Sequence, residues 1–342
     1  MDFITYPLGW ILKLCNMLVG NYGVAIILFT ILMKTLLLPL TVKQQRSMMK
    51  TQKLQPLLNE IQQKYANDKD KLSMETMKIY QKYHVNPMSG CLPLLIQLPI
   101  LMALYWVVQG PITYLMGMPR EESWRIVNAL KEWGESNPDA INALLGEIKV
   151  SSIDQLAENG YAMLKRCEIQ VARWMHTYPG ILDNHWIVGS GKTYEVINFN
   201  FLGMDLSQTP NLGAMLSLLL GRVGGLTLNM IVLWIIPILS GLSSFASMKL
   251  SQAMQPQQAP QRDANGEEAP NPMKGMNLFM PFISAWFAFT LPAAIGLYWI
   301  VSNLLQMAQQ LVLNKVIKID VTEEQIEGEI VNVKKNRKKR KK

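Results

Sequence analysis

Five long apolar stretches constrain this chain more than any other feature of its sequence. They lie at residues 22–42, 92–109, 228–248, 276–291 and 293–313. A helix needs about 20 predominantly apolar residues to cross the hydrocarbon core of a bilayer. The alternative, long buried helix pairs in a soluble core, fits poorly with only 17% charged residues, because soluble domains carry about 25%. We therefore predict an all-α integral membrane protein with five transmembrane helices.

The distribution of charge predicts the side of the membrane that each loop occupies. Residues 43–91 carry nine Lys and Arg against four Asp and Glu, and residues 311–342 carry ten against five. Residues 110–210 reverse the balance, with eight basic residues against twelve acidic ones. Lys and Arg near the ends of spans mark the cytoplasmic side. The five crossings are thus predicted to begin with the amino terminus outside and to end with the carboxyl terminus in the cytoplasm.

The segments between the spans differ in character. Residues 1–21 are predicted to form an interfacial amphipathic helix, since their apolar run is interrupted by a lysine and is too short to cross. Residues 43–91 have a helical apolar stripe, a polar break and a second short helix, which predict a cytoplasmic helical hairpin. The external segment 110–227 combines amphipathic helices with a strand-like alternation at 194–202, which suggests a small accessory insert. Residues 249–275 are predicted to be a flexible cytoplasmic linker.

Lys34 is the residue of the spans that most directly suggests a function. It lies near the middle of the first span, where a charge costs about 2.5–3.5 kcal/mol on insertion scales. The five stretches contain no Asp or Glu that could pair with it. Hydration in a pocket between helices would offset the cost, and snorkelling toward the cytoplasmic surface is the alternative. Thr30 lies one turn earlier and faces the same way.

Further polar residues lie in the second and fifth apolar stretches. They are available to line the same pocket, or to join helices through hydrogen bonds. These residues are Gln97, Ser302, Asn303 and Gln306.

Other patterns argue against enzymatic, metal and nucleotide chemistry. The stretch GSGKT at 189–193 resembles the end of a phosphate-binding loop, but Trp186 stands where such a loop needs a glycine. The three histidines and three cysteines are scattered and have no catalytic or metal-ligand spacing. We predict no enzymatic activity, no cofactor and no metal site. The lack of carboxylates in the spans also argues against an ion-coupled transporter of small solutes.

The predicted tail, residues 314–342, ends in a basic run. A basic run of this kind can bind anionic lipid head groups or the phosphates of RNA. A third interpretation is that it only anchors the topology of the chain. The basic residues are Lys334, Lys335, Arg337, Lys338, Lys339, Arg340, Lys341 and Lys342.

Several motifs resemble those of the YidC-type membrane protein insertases. The resemblance follows the chain in order and covers about two thirds of it. The motifs are GNYG at 20–23, LPLT at 38–41, LQP at 54–56, VNPMSGC at 85–91, PLLIQ at 93–97, NFLGMDL at 200–206 and GLYWIVSN at 296–303.

The resemblance implies five helices around a hydrophilic groove that opens to the cytoplasm and the lipid. Lys34 falls on the position of the family's single basic groove residue, which is usually arginine. Thr30 matches a groove-lining threonine, and Trp299 stands where some members have a tyrosine that contacts the substrate. A lysine keeps the charge but loses the planar fork of donors. The segment 118–210 also departs from the family, because matching members join these spans by a much shorter loop.

The implied function is the insertion and folding of newly made membrane proteins, alone or beside the general secretion channel, in the bacterial plasma membrane. The groove residues are then Lys34, Thr30, Gln97, Trp299 and the pair Ser302 and Asn303. The implied partners are nascent membrane proteins, the ribosome at the basic tail, the secretion channel and anionic lipids. An assembly chaperone that does not translocate its clients, and a small-solute transporter, are the alternatives.

Overall fold

The structure is a computed structural model of the chain. It describes residues 2–65, 68–86, 92–158, 160–192, 194–221, 228–254, 282–318 and 326–331. Within these ranges the fold is all-α apart from one short pair of antiparallel strands, β1 (Asn200–Phe201) and β2 (Met204–Asp205). The helices are α1 (Asp2–Val19), α2 (Tyr22–Leu36), α3 (Leu38–Lys64), α4 (Lys69–Lys82), α5 (Leu92–Gln109), α6 (Ser123–Ser136), α7 (Pro138–Ile148), α8 (Ile153–Glu158), α9 (Gly160–Thr177), α10 (His185–Val188), α11 (Leu212–Leu219), α12 (Leu228–Leu233), α13 (Ile235–Ala253), α14 (282–290), α15 (Ala293–Val316) and α16 (326–331).

Some predicted segments lie wholly or partly outside the described residues. The predicted fourth span is described only from residue 282, and the predicted linker only as far as residue 254. The basic run at 334–342 is not among the described residues.

The described part of the chain divides into two compact units. The first comprises Met1–Leu32, Leu98–Gly241 and Ser284–Val301. The second comprises Met33–Gln97, Leu242–Ile283 and Ser302–Lys342. The predicted external insert therefore lies in the first unit, and the predicted cytoplasmic hairpin lies in the second.

Among the described residues, the helices that are both apolar and long enough to cross a membrane are fewer than the five predicted spans. The stretch Ile231–Ala253, which runs from the end of α12 through α13, meets both requirements by itself. α2 and α3 meet them together, as a bent pair. Pro39 accounts for the bend, because proline has no N–H for the carbonyl four residues earlier and its ring crowds that carbonyl. Ile96–Gln109 is apolar but shorter. α15 is long enough, with 24 residues, but one of its faces is polar.

The segment predicted to be an external insert belongs to the first unit and has a hydrophobic core of its own. Leu130 of α6, Leu144 of α7 and Val171 of α9 are fully buried in it. α6 and α7 meet at a tight corner, where the Asn137 side chain donates to the carbonyl of Trp133 over 2.9 Å. The predicted strand-like alternation at 194–202 yields only the two residues of β1, which pair with β2. The insert is therefore a helical domain.

The β1–β2 hairpin meets the first turns of two helices in the first unit. The amide of Tyr22 at the start of α2 donates to the carbonyl of Asn198 over 3.3 Å. At the start of α15, Ala293 and Ala294 donate to the carbonyls of Gln208 and Leu206 over 2.8 and 3.0 Å. The first amides of a helix have no partner within the helix. The backbone next to the hairpin therefore caps both helices.

The second unit contains the hairpin of α3 and α4, which the sequence predicts to be cytoplasmic. Asp68 caps α4 by accepting a hydrogen bond from the amide of Lys71 over 3.1 Å. The facing sides of the helices form one hydrophobic cluster, and Ile326 of α16 is buried in the same cluster. Residues near the carboxyl terminus thus complete the core of a hairpin that lies more than 200 positions earlier in the chain.

Candidate functional site

Lys34 occupies the last turn of α2 and is half-buried. Its helix is otherwise strongly apolar, and the neighbouring Ile31, Leu32 and Leu36 are exposed. A cation in the last turn is favoured by the negative end of the helix dipole. Thr30, one turn earlier, is fully buried and donates to the carbonyl of Ile26 over 2.6 Å. The helix itself thus satisfies the Thr30 hydroxyl.

A polar face runs along the second half of α15 in the second unit. Its members recur every three or four positions, the spacing that places side chains on one side of a helix. They are Ser302, Asn303, Gln306, Gln309, Gln310 and Asn314. Ser302 and Gln310 are buried, whereas Gln306 is exposed. We call these six residues the polar face of α15.

Hydrogen bonds connect the polar face to Lys34 and to α13. The Gln309 amide donates to the backbone carbonyl of Lys34 over 3.3 Å. The Asn303 amide donates to the hydroxyl groups of Ser243 and Ser244 over 3.0 and 2.9 Å. Buried polar groups are costly without partners. These bonds therefore stabilise polar side chains in otherwise apolar helices.

A further set of bonds lies toward the end of α15. The Gln45 amide of α3 donates to Asn314 over 2.6 Å, and Asn314 donates in turn to the sulfur of Met254 over 2.7 Å. Polar groups of one helix thus connect α3, α13 and the end of α2. The arrangement offers amide and hydroxyl groups, together with the cation of Lys34, to a polar or acidic group.

The structure gives the sequence-predicted groove residues different surroundings. Lys34, Ser302 and Asn303 belong to the unit that contains the polar face, and so does Gln97, which lies half-buried in α5. Thr30 and Trp299 belong to the first unit. The ring of Trp299 stacks there on Phe287 of α14, with 6.3 Å between the centroids.

Several residues of the network were missed by the sequence reasoning. The missed members of the hydrogen-bond network are Gln45, Ser243, Ser244, Gln309 and Asn314. The available signal was the spacing of amides along α15, which continues the pattern of Ser302, Asn303 and Gln306. Their partners lie 59 to 275 positions away, so no local pattern indicates them.

A second buried polar site lies in the predicted external insert. Glu168 of α9 is only 1% exposed, and its carboxylate accepts bonds from Thr113. The Thr113 amide donates over 3.0 Å and the Thr113 hydroxyl over 2.9 Å. Burial raises the pKa of Glu168 above that of an ordinary carboxyl group, while the bonds from Thr113 oppose the rise. The carboxylate joins α9 to the π-helical turn that follows α5.

Metal binding finds no support in the part of the chain that the structure describes. No group of three or more His, Cys, Asp and Glu residues there is arranged to hold a metal ion.

Largely apolar helices with an internal lysine and a polar face define an α-helical membrane protein rather than a soluble bundle. The family model of the 60Kd inner membrane protein matches residues 14–321. The chain belongs to this family, which is that of the YidC insertases.

Several bacterial relatives are named membrane protein insertase YidC. A protein of Fusobacterium nucleatum is 52% identical over 105 residues, which are 31% of this chain and 51% of that protein. A protein of Haemophilus ducreyi is 48% identical over 104 residues, 30% of this chain and 19% of its own length. A Shewanella protein is 45% identical over 106 residues, which are 31% of this chain and 20% of that protein. The matched part thus spans about half or less of each relative.

Proposed function

We propose that this protein inserts newly made membrane proteins and helps them to fold. The observation that carries the proposal is Lys34, a half-buried cation in an apolar helix whose carbonyl is bonded by the polar face of α15. The relatives named as insertases belong to the same family, which supports the proposal.

The proposed mechanism is physical rather than chemical. A short polar segment of the client enters a hydrated groove from the cytoplasm, drawn by the positive charge of Lys34. Polar side chains replace part of its water, and the groove shortens the distance that the segment must cross through lipid. The client's apolar helix then leaves sideways into the bilayer. The roles of Thr30, Gln97 and Trp299 in contacting the client remain predictions.

The proposed topology has five crossings, an external amino terminus and a cytoplasmic carboxyl terminus. The exposed apolar side chains of α1, such as Phe3 and Trp10, support an interfacial position for that helix. The cytoplasmic hairpin then receives the incoming chain, and the basic tail binds the ribosome or anionic lipid. Action alone and action beside the secretion channel both fit this proposal.

Replacement of Lys34 tests the mechanism. The purified protein is placed in vesicles that contain no other protein, with a client whose translocated segment is acidic. We expect Lys34→Ala to reduce insertion several-fold and Lys34→Glu to reduce it further, since attraction becomes repulsion. Lys43→Ala is the matched control, because Lys43 is exposed on α3.

Two results would contradict the proposal. Equal insertion by the wild type and both Lys34 variants would refute charge attraction. Binding of the client without protease-protected transfer of its tail would identify an assembly chaperone instead.

A further inference from the structure

The cytoplasmic hairpin contains an apolar groove that another part of the same chain fills. The groove is formed by buried side chains of α3, by Ile79 of α4 and by Val85. From α3 it includes Leu54, Leu57, Leu58 and Ile61. We call this set the hairpin groove.

α16 occupies the hairpin groove with two isoleucines. Ile326 is 5% exposed and belongs to the buried cluster, and Ile330 packs against the cluster from one turn later. Glu329, between them, pairs with Lys82 of α4. Glu327 is exposed. One face of α16 therefore contacts the hairpin while the other faces solvent.

The interaction has the features of a weak and reversible contact. The six described residues of α16 would not form a stable helix alone in water, and Gly328 lowers their helix propensity further. α16 is thus helical because the groove holds it. The Lys82–Glu329 pair is largely exposed on the lysine side, so it orients α16 more than it stabilises it. Because α16 and the hairpin belong to the same chain, the effective concentration of α16 at the groove is high, which keeps this small contact formed.

Charge indicates what else the groove can bind. The predicted hairpin region, residues 43–91, carries nine basic residues against four acidic ones. α16 has the sequence IEGEIV, with two glutamates and apolar residues four positions apart. A short helix laid in an apolar groove is a common mode of peptide recognition. The groove thus fits a short acidic segment with one apolar face.

We propose that the hairpin groove is an exchangeable binding site and that α16 is its internal competitor. The external partner is a short acidic amphipathic segment of a newly made membrane protein. This choice of partner rests on the proposed function, whereas the exchange itself does not. Release of α16 exposes the groove, and its return closes the groove again.

A peptide supplied in trans tests the exchange. The probe is a fluorescein-labelled peptide with the sequence of residues 322–333, and its binding to the full chain in lipid nanodiscs is followed by anisotropy. In the double variant Ile326→Asp/Ile330→Asp the internal competitor is lost. We expect the peptide to bind this variant at least tenfold more tightly than the wild type.

A matched pair of single variants tests the same exchange without the double substitution, which could itself disturb folding. Glu329→Lys and Glu327→Lys make the same change of charge two positions apart, but Glu329 pairs with Lys82 of the hairpin whereas Glu327 is exposed. We expect Glu329→Lys to tighten peptide binding by about two- to threefold and Glu327→Lys to leave it unchanged. A peptide carrying Glu329→Lys should bind weakly and recover its affinity on a Lys82→Glu chain.

Hydrogen exchange supplies an independent measurement. Amides at 54–61 should exchange faster in the double variant and regain protection when the peptide is added. Equal peptide affinity for the wild type, the double variant and Glu329→Lys would overturn the proposal. Failure of the proposed function would show instead in the Lys34 vesicle experiment, which leaves the anisotropy result unaffected.

Discussion

Lys34 and Glu168 are charge-bearing side chains in largely apolar surroundings, and the chain accommodates them differently. Glu168 is held by two donors from one residue, Thr113, which offset part of its lost hydration. Lys34 lies at the carboxyl end of its helix, half-buried and near amide groups. The first arrangement suits a structural link, and the second leaves a partly exposed cation, which the proposed function assigns to the attraction of a client.

Glu168 gives the protein a predicted dependence of stability on pH. Its pKa is raised on folding, so the folded chain binds the proton more tightly than the unfolded chain does. Stability should therefore fall as the pH rises from the ordinary carboxyl pKa through the raised value, and then level off. Glu168→Gln should remove this part of the slope, as measured by apparent melting temperature against pH.

The control for this prediction is Glu121→Gln, which changes an exposed carboxylate in the same insert. It should keep the wild-type slope. An unchanged slope in Glu168→Gln would mean that other groups determine the pH dependence.

At the scale of elements, the β1–β2 hairpin holds two helix starts together. The ring of Phe201 lies directly against Gly23 of α2, where a Cβ atom would overlap it. Tyr22 adds an edge-to-face contact with Phe199, with centroids 5.0 Å apart. The turn itself requires positive φ at Leu202 and Gly203, which glycine adopts without cost. The GNYG motif at 20–23 and the NFLGMDL motif at 200–206 thus contact each other.

Gly23→Ala should destabilise the protein by about 1–3 kcal/mol, because an added methyl group overpacks a close contact. Gly146→Ala in α7 is the matched control, since nothing lies within 4 Å of its added Cβ atom. Alanine is the better helix former, so this control should be neutral or slightly stabilising. Equal melting temperatures for both variants would show that the hairpin yields around Gly23.

The sequence predicted much of the helical composition but few of the contacts between helices. α5 covers the apolar run at 92–109, because a continuous apolar run is a local signal for a helix. The contact of Ile326 with the hairpin is not local, because its partners lie at the other end of the chain. The same limit applies to Glu168 and Thr113, which are 55 positions apart. Apolar periodicity indicates which side of a helix is buried but not which element covers it.

At the scale of the whole molecule, charge and hydrophobicity are distributed unevenly along the chain. The net charge is +8, yet the predicted external segment is acidic and the predicted cytoplasmic regions are basic. This asymmetry is the main argument for the proposed orientation. It also concentrates positive charge where a ribosome or anionic lipid would be met.

Neutralising the basic run should distinguish ribosome binding by the tail from lipid binding and from a topological anchor. Replacement of all Lys and Arg at 334–342 by Gln should reduce co-sedimentation with ribosomes at low salt, because fewer phosphates are contacted. The wild type should lose the same binding as salt is raised. Flotation with anionic vesicles measures the lipid interaction separately. Unchanged ribosome binding would leave lipid attachment or a topological anchor.

The polar face of α15 also affects how the protein itself is made. A helix with six amide and hydroxyl side chains on one side enters lipid poorly alone, because these groups need partners there. Its partners on α3 and α13 precede it in the chain. They are therefore synthesised first and can receive α15 as it emerges. With α15 as the proposed fifth span, the order of synthesis is part of folding, and α15 is the kind of demanding helix that an insertase would assist.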